Sequence, residues 1–271
     1  VNNFVLRTIV GIIFSLAVIG SAFAGPIAFS LLFGFFTIKG VQEFLRMTAP
    51  DLRRNLRRVA MALAGIFYLF YVLNAEFGFS GQWLFVPAII WLLILCIEMI
   101  RVNESFISQM SALLFGFVYV VIPFSLLITL ANFLGAFEPK LPFGFFLILW
   151  ANDSGAYITG KFLGKHKLLE AVSPKKTWEG LVGGMFVAIL SGYFLTDVLS
   201  NTLAREHWIA VAAIVAVFAN LGDLIESQMK RIAGIKDSGR LLPGHGGVLD
   251  RFDGLLVALP LVIIYLITFV K

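Results

Sequence analysis

The chain has 271 residues, of which 59% are hydrophobic and 14% charged, with a net charge of +5. A soluble domain is nearer 45–50% apolar with about 25% charged residues, so a soluble globular enzyme, a disordered chain and a disulfide scaffold are excluded. The lone Cys96 lies in an apolar run and leaves no thiolate metal cluster.

Apolar runs of helical length predict an all-α, polytopic membrane protein with about nine transmembrane helices. In chain order these cover 4–23, 26–46, 57–75, 83–100, 107–131, 141–162, 178–198, 208–229 and 248–270. The first run, with Arg7 near its start and Ala22-Phe23-Ala24 at its end, mimics a secretory signal, but it is long enough to serve as a span. The first five spans (1–140) form an N-terminal membrane region, and 141–271 form the region expected to carry the chemistry. Short alternating strands of the barrel type are missing, as is an inverted repeat of the transporter type.

Basic residues orient the chain. Arg46, Arg53, Arg54, Arg57 and Arg58 fall in one loop, Lys161, Lys165, Lys167, Lys175 and Lys176 in another, and Lys230, Arg231, Lys236 and Arg240 in a third. The alternate loops hold only Lys140 and Arg205. The expected arrangement has the N-terminus and all three basic loops in the cytoplasm and the C-terminus outside.

Charge is concentrated. Residues 152–180 and 223–253, 60 residues together, carry 18 of the 37 charged side chains. Asp153 falls about 18 Å along its span, Glu43 about 26 Å and Asp223 about 22 Å from the outer ends of theirs, at 1.5 Å per residue. Ionisable groups at such depths are costly and usually functional, so these three predict a polar cavity open to the cytosol. Glu43 has an equally good reading as a partner of Arg46, one turn away.

From Asp223 onward, Ser227, Lys230 and Arg231 follow at helical spacing and share one face. A loop containing Lys236, Asp237, Gly244, His245, Gly246 and Gly247 comes next, and Asp250, Arg251 and Asp253 open the last helix. Glycine amides beside a helix start can cradle phosphate, lysine and arginine offset its charge, and aspartates suit Mg²⁺. Asp250 and Asp253 are also favoured at a helix N-terminus by its dipole alone. Upstream stand Asn152, Asp153, Ser173, Lys175 and Lys176. The run from Gly155 to Gly160-Lys161 imitates a phosphate loop, but position 162 is Phe and no strand precedes it, so it is not one. Lys175 and Lys176 fit either a nucleotide or anionic lipid headgroups. Trp178 reads as an interfacial anchor, and His166 and His207 have no partner pattern.

The segment Ser227-x-Met229-Lys230-Arg231-x4-Lys236-Asp237-x-Gly239-x2-Leu242-Pro243-x-His245-Gly246-Gly247-Val248-x-Asp250-Arg251-Phe252-Asp253 resembles the signature of the phosphatidate cytidylyltransferase (CDP-diacylglycerol synthase) family. Ser173-Pro174-Lys175-Lys176-Thr177-x-Glu179-Gly180 is similar to a second motif of that family. The resemblance spans about 150–254. It implies a nucleotidyltransferase of phospholipid synthesis that makes CDP-diacylglycerol and pyrophosphate from CTP and phosphatidate. The implied setting is a bacterial inner membrane, with membrane lipid as a partner, no nucleic acid, and compatibility with a homodimer. Mg²⁺ is the implied cofactor, with room for a second metal or a monovalent ion.

Under that resemblance Asp223, Asp250 and Asp253 are metal candidates, and Asp223, Asp250, Lys230 and Lys236 the catalytic set. Asn152, Asp153, Ser173, Lys175, Lys176, Ser227, Arg231, Asp237, His245, Gly246, Gly247 and Arg251 are candidates for substrate contact. A phosphomonoester already carries between one and two negative charges at neutral pH, so no strong base is needed and His245 is expected to position phosphate. A CTP-using polyprenol kinase and an ion or lipid-phosphate transporter are the competing readings.

Overall fold

A computed structural model describes residues 3–100, 105–242, 244 and 246–270. Ten α-helices follow in order: α1 (Asn3–Phe23), α2 (Pro26–Thr48), α3 (Arg54–Phe77), α4 (Phe85–Ile100), α5 (Phe106–Gly116), α6 (Ile122–Ala131), α7 (Lys140–Leu163), α8 (Trp178–Val198), α9 (Arg205–Ile232) and α10 (Leu249–Phe269). Between α7 and α8 lies an antiparallel pair of strands, β1 (Lys167–Leu169) and β2 (Ser173–Thr177). Among the described residues the fold is all-α apart from this hairpin and an isolated bridge between Leu242 and Gly246. Among the described residues, seven helices are long and apolar enough to cross a membrane, with α5 and α6 taken as one span and the 3₁₀ turn Gly81–Leu84 joined to α4. The apolar part of α1, Thr8–Phe23, is shorter. The 24-residue α7 is long enough, but its second half carries Asn152, Asp153, Ser154 and Lys161.

Local chemistry explains the helix boundaries. Pro26 takes the first turn of α2, where its missing N–H costs nothing. Gly78 ends α3 in the left-handed conformation at φ 66°. The expected continuous span 107–131 is interrupted by a π-helical turn, Phe117–Val121, before α6. Pro123 in the first turn of α6 cannot donate to the carbonyl one turn back, and a wider turn absorbs the missing bond. The other departure is the hairpin, where sequence reading expected only a loop.

The chain forms two compact units, Val1–Asn132 with Lys236–Arg251, and Phe133–Ile235 with Phe252–Lys271. The first has an aromatic core in which Phe29, Phe33, Phe44 and Phe124 are fully buried. Gly40 and Gly116 admit Val120 and Phe44 so closely that a Cβ on either glycine would stand 2.9 Å from them.

The second unit packs on small residues. Gly180, Gly184, Ala188 and Gly192 recur every fourth position and form the buried stripe of α8. A Cβ at Gly184 would stand 2.7 Å from the Asn152 carbonyl oxygen of α7, and one at Gly192 2.7 Å from the Trp208 carbonyl oxygen of α9. Such stripes let backbones approach where lipid supplies no hydrophobic drive to association. Gly155 and Gly160, the imitation of a phosphate loop, lie within α7 and face Val187 and Thr177.

Candidate active site

In the second unit a cavity of about 430 Å³ is walled by α7, β2, α8 and α9. Asp153, Lys161, Lys175, Lys176, Asn220 and Asp223 supply its polar lining. Thus Asp153, Lys175, Lys176 and Asp223, separated by up to 70 positions in sequence, meet at one hollow. Asn220 and Lys161 were not singled out as site residues by sequence. Asn220 lies one turn before Asp223 on the helix whose acidic end marked the site, and that spacing is the signal by which it could have been found.

The hairpin carries the lysines. Thr177 is the N-cap of α8, its Oγ1 accepting from the Gly180 amide at 3.1 Å. Glu179 in the first turn accepts from the amides of Lys165 and His166 at 3.1 and 3.2 Å and pairs with His166 Nδ1 at 2.6 Å. Arg231 Nε donates to the Val172 carbonyl at 3.3 Å, fastening the hairpin tip to α9. In the motif from Ser173 to Gly180, Thr177, Glu179 and Gly180 therefore hold the backbone, and Lys175 and Lys176 are left to the cavity. Ser173 starts β2, half-buried, opposite Leu169 and away from the lining.

On α9, Asp223 Oδ2 pairs with Lys176 Nζ at 2.7 Å, and its Oδ1 accepts from Ser227 Oγ at 3.1 Å. Lys176 Nζ also donates to the Asn220 carbonyl at 3.4 Å. Asn220 Nδ2 reaches Asn152 Oδ1 at 3.4 Å, and Asn152, fully buried, lies 3.5 Å from Asp153 Oδ1 through its own Nδ2. Lys230 pairs with Glu226 at 3.2 Å, an i,i+4 bridge to a fully buried carboxylate that sequence reading passed over.

Asp253 joins this unit through a close helix crossing. A Cβ at Gly222 would collide with the Asp253 carbonyl, and one at Gly254 would stand 2.9 Å from Ala219. The glycine beside Asp223 thus brings α10 close enough for the Asp253 carboxylate to interact electrostatically with Asp223, Asp153 and Lys230. Its Oδ1 accepts from the Gly254 amide at 2.7 Å.

The first unit holds the remaining candidates. Asp250 Oδ2 accepts three hydrogen bonds, from the Ser238 amide at 2.8 Å, Ser238 Oγ at 2.9 Å and the Gly247 amide at 2.8 Å. Buried Glu43 accepts from Leu249 N at 3.1 Å and Ser238 Oγ at 3.2 Å, and lies so close to Gly239 and Gly247 that neither site has room for a Cβ. Glu43 is therefore a clamp on the loop, and no pair with Arg46 is needed to explain its depth. Gly246 takes φ 83° against the Asp250 carboxylate. Lys236, Asp237 and Arg251 are exposed. His245 lies outside the described residues.

Among the described residues, no three His, Cys, Asp or Glu side chains converge tightly enough to hold a metal ion by themselves. Mg²⁺ often takes only one or two carboxylates and completes its shell with water and phosphate oxygens. Asp223, lining the cavity with Asp153 and in electrostatic reach of Asp253, fits that smaller requirement.

The cytidylyltransferase family profile matches residues 5–269, nearly the whole chain. A phosphatidate cytidylyltransferase of Staphylococcus aureus (strain COL) is 50% identical over 122 residues, covering 45% of this chain and 47% of that relative. Those of Staphylococcus epidermidis (strain ATCC 35984) and Staphylococcus saprophyticus (strain ATCC 15305) are 48% and 47% identical over stretches with the same coverage. In these matches the chain spans about half the length of the curated relatives. An all-α membrane protein with basic hairpin and acidic helix face around one hollow, the chain belongs to the cytidylyltransferase family.

Proposed function

We propose that the protein is a CTP:phosphatidate cytidylyltransferase, making CDP-diacylglycerol and pyrophosphate at the cytosolic face of a bacterial inner membrane. The observation that carries this reading is the meeting of Lys175 and Lys176 with Asp153 and Asp223 on the walls of one cavity in a helical membrane protein of this family. Anionic substrates need cations to approach, and a triphosphate with a divalent ion also needs carboxylates.

In this mechanism a phosphatidate oxygen attacks the α-phosphorus of CTP. The new P–O bond forms as the bond to the β-phosphate bridging oxygen breaks, and pyrophosphate leaves with that electron pair. The nucleophile is already anionic, so the protein's work is positioning and charge neutralisation. Lys175, Lys176 and Lys161 offset phosphate charge. Asp223 keeps Lys176 aimed into the cavity, and Glu226 holds Lys230 one turn further along α9. Asn152 and Asn220 hold the carboxylate-bearing faces of α7 and α9 in register. Asp223, with Asp253 and Asp153, would hold Mg²⁺, which when bound would offset charge developing on the phosphates. Arg231 acts through the hairpin it fastens.

Purified protein given CTP, phosphatidate and Mg²⁺ should form CDP-diacylglycerol with equimolar pyrophosphate. Phosphorylation of a lipid alcohol with release of CDP from CTP would assign it to the lipid kinases, and no nucleotide product from folded protein would favour the transporter.

A further inference from the structure

We infer that the groove between α2 and α3 binds one acyl-ester arm of a membrane glycerolipid. The groove measures about 440 Å³ and shares no residue with the candidate active site. Its walls are apolar, with Ile27, Leu31, Phe35, Ile38, Leu69 and Val72 among them, and both helices are candidate membrane spans. Two glycines hollow it. A Cβ at Gly34 would stand 3.1 Å from the Tyr68 ring, and one at Gly65 3.2 Å from Ile38.

Two hydroxyls identify the occupant. Ser30 and Tyr68 line the groove at 8% and 4% exposure, and neither Oγ nor Oη has a hydrogen-bond partner. On the same helix Thr37 bonds the Phe33 carbonyl one turn back at 2.8 Å, as Ser125 does the Val121 carbonyl at 2.8 Å. Ser30 does not. A buried hydroxyl without a partner is costly, and in hydrocarbon water does not supply one. A plain alkyl chain would leave both unsatisfied. A helix of a second copy would keep its carbonyls behind its own sheath of side chains. An ester carbonyl with a fatty tail offers free lone pairs to the hydroxyls and methylenes to the walls. At the end of α3, Glu76 also lines the groove, held by Asn132 Nδ2 at 2.6 Å.

The test uses the full chain, delipidated in detergent, and compares thermal stabilisation by ester-linked phosphatidylglycerol with that by its ether-linked analogue, which lacks the carbonyls. For the wild type the ether lipid should need at least about fivefold more for half-maximal effect, fivefold being the worth of one hydrogen bond. In Tyr68→Phe that gap should narrow and in Ser30→Ala/Tyr68→Phe it should close, while the lipid-free Tyr68→Phe protein stays at least as heat-stable as wild type. A phosphatidylglycerol carrying a diazirine in its chain should label peptides from 26–38 and 65–77 saturably, and Leu31→Trp should reduce that labelling. Equal half-maximal concentrations for ester and ether lipid in the wild type would overturn the inference. So would label spread without saturation over all spans, cross-links joining two copies through the groove, or a large stability loss in lipid-free Tyr68→Phe.

Discussion

Lys176 on the hairpin and Asp223 on α9 form a 2.7 Å ion pair, with side-chain exposures of 20% and 39%. The pair is only partly screened, and it joins a cation and an anion that the proposed reaction needs free for phosphate and Mg²⁺. A cavity that holds both charges against each other when empty keeps them ordered and avoids leaving either one desolvated alone.

Lys176→Met should therefore lower kcat/KM by about 10²–10³-fold, the usual cost of removing one donor that stabilises developing charge. The fold should survive, because the backbone of β2 is held by Thr177, Glu179 and Arg231. Steady-state CDP-diacylglycerol formation, with circular dichroism as control, checks this. Near-normal turnover would remove Lys176 from the phosphate contacts.

Chelation should abolish activity and added Mg²⁺ should restore it. Asp223→Asn should resist that rescue, with turnover at saturating Mg²⁺ down by at least about 100-fold. If Asp223→Asn shows ordinary Mg²⁺ activation, the aspartate serves only to hold Lys176.

Asp250 and Asp253 sit one turn apart on α10 yet should fail differently. Asp250→Ala strands the amides of Ser238 and Gly247, while the Ser238 hydroxyl keeps Glu43 as acceptor, at a cost of about 1–3 kcal/mol. Amide exchange in 236–242 should then accelerate. Asp253→Asn should leave that exchange unchanged and reduce turnover. The same exchange pattern in both variants would contradict this division of roles.

Thr177→Val removes the cap of α8 and should cost about 1 kcal/mol. Gly184→Leu sets a side chain against the Asn152 carbonyl, where a Cβ alone would be at 2.7 Å. Such overpacking costs about 1–3 kcal/mol, and it should also lower activity by pushing Asp153 off the cavity wall. Melting temperature in detergent and turnover per folded molecule separate the two effects.

Much of this architecture was legible from residue order alone. Length and hydropathy dictate membrane helices, because in lipid every backbone amide must be satisfied within its own segment. Charge density led to both polar blocks, since carboxylates rarely enter spans without a use. Other features were present in the sequence and passed over. The four-residue stripe of Gly180, Gly184, Ala188 and Gly192 is a packing signal, and Glu226 stands four residues before Lys230.

What the sequence by itself determined is the class of protein, the helix order and the pool of charged residues from which a site is drawn. Tertiary structure alone divided that pool. It turned the Lys175–Lys176 segment from a loop into a strand, and made Glu43, which residue order left between a cavity wall and a partner of Arg46, a clamp on Ser238 and Leu249. It also spent Asp250 on three loop hydrogen bonds while leaving Asp223 and Asp153 on the wall of a cavity. The physical reason is that hydropathy and spacing are properties of a segment, whereas a hydrogen-bond partner is set by which backbones approach closely. Here that approach depends on glycines such as Gly184 and Gly222, and the absence of a side chain at a position does not name the helix that will fill the space.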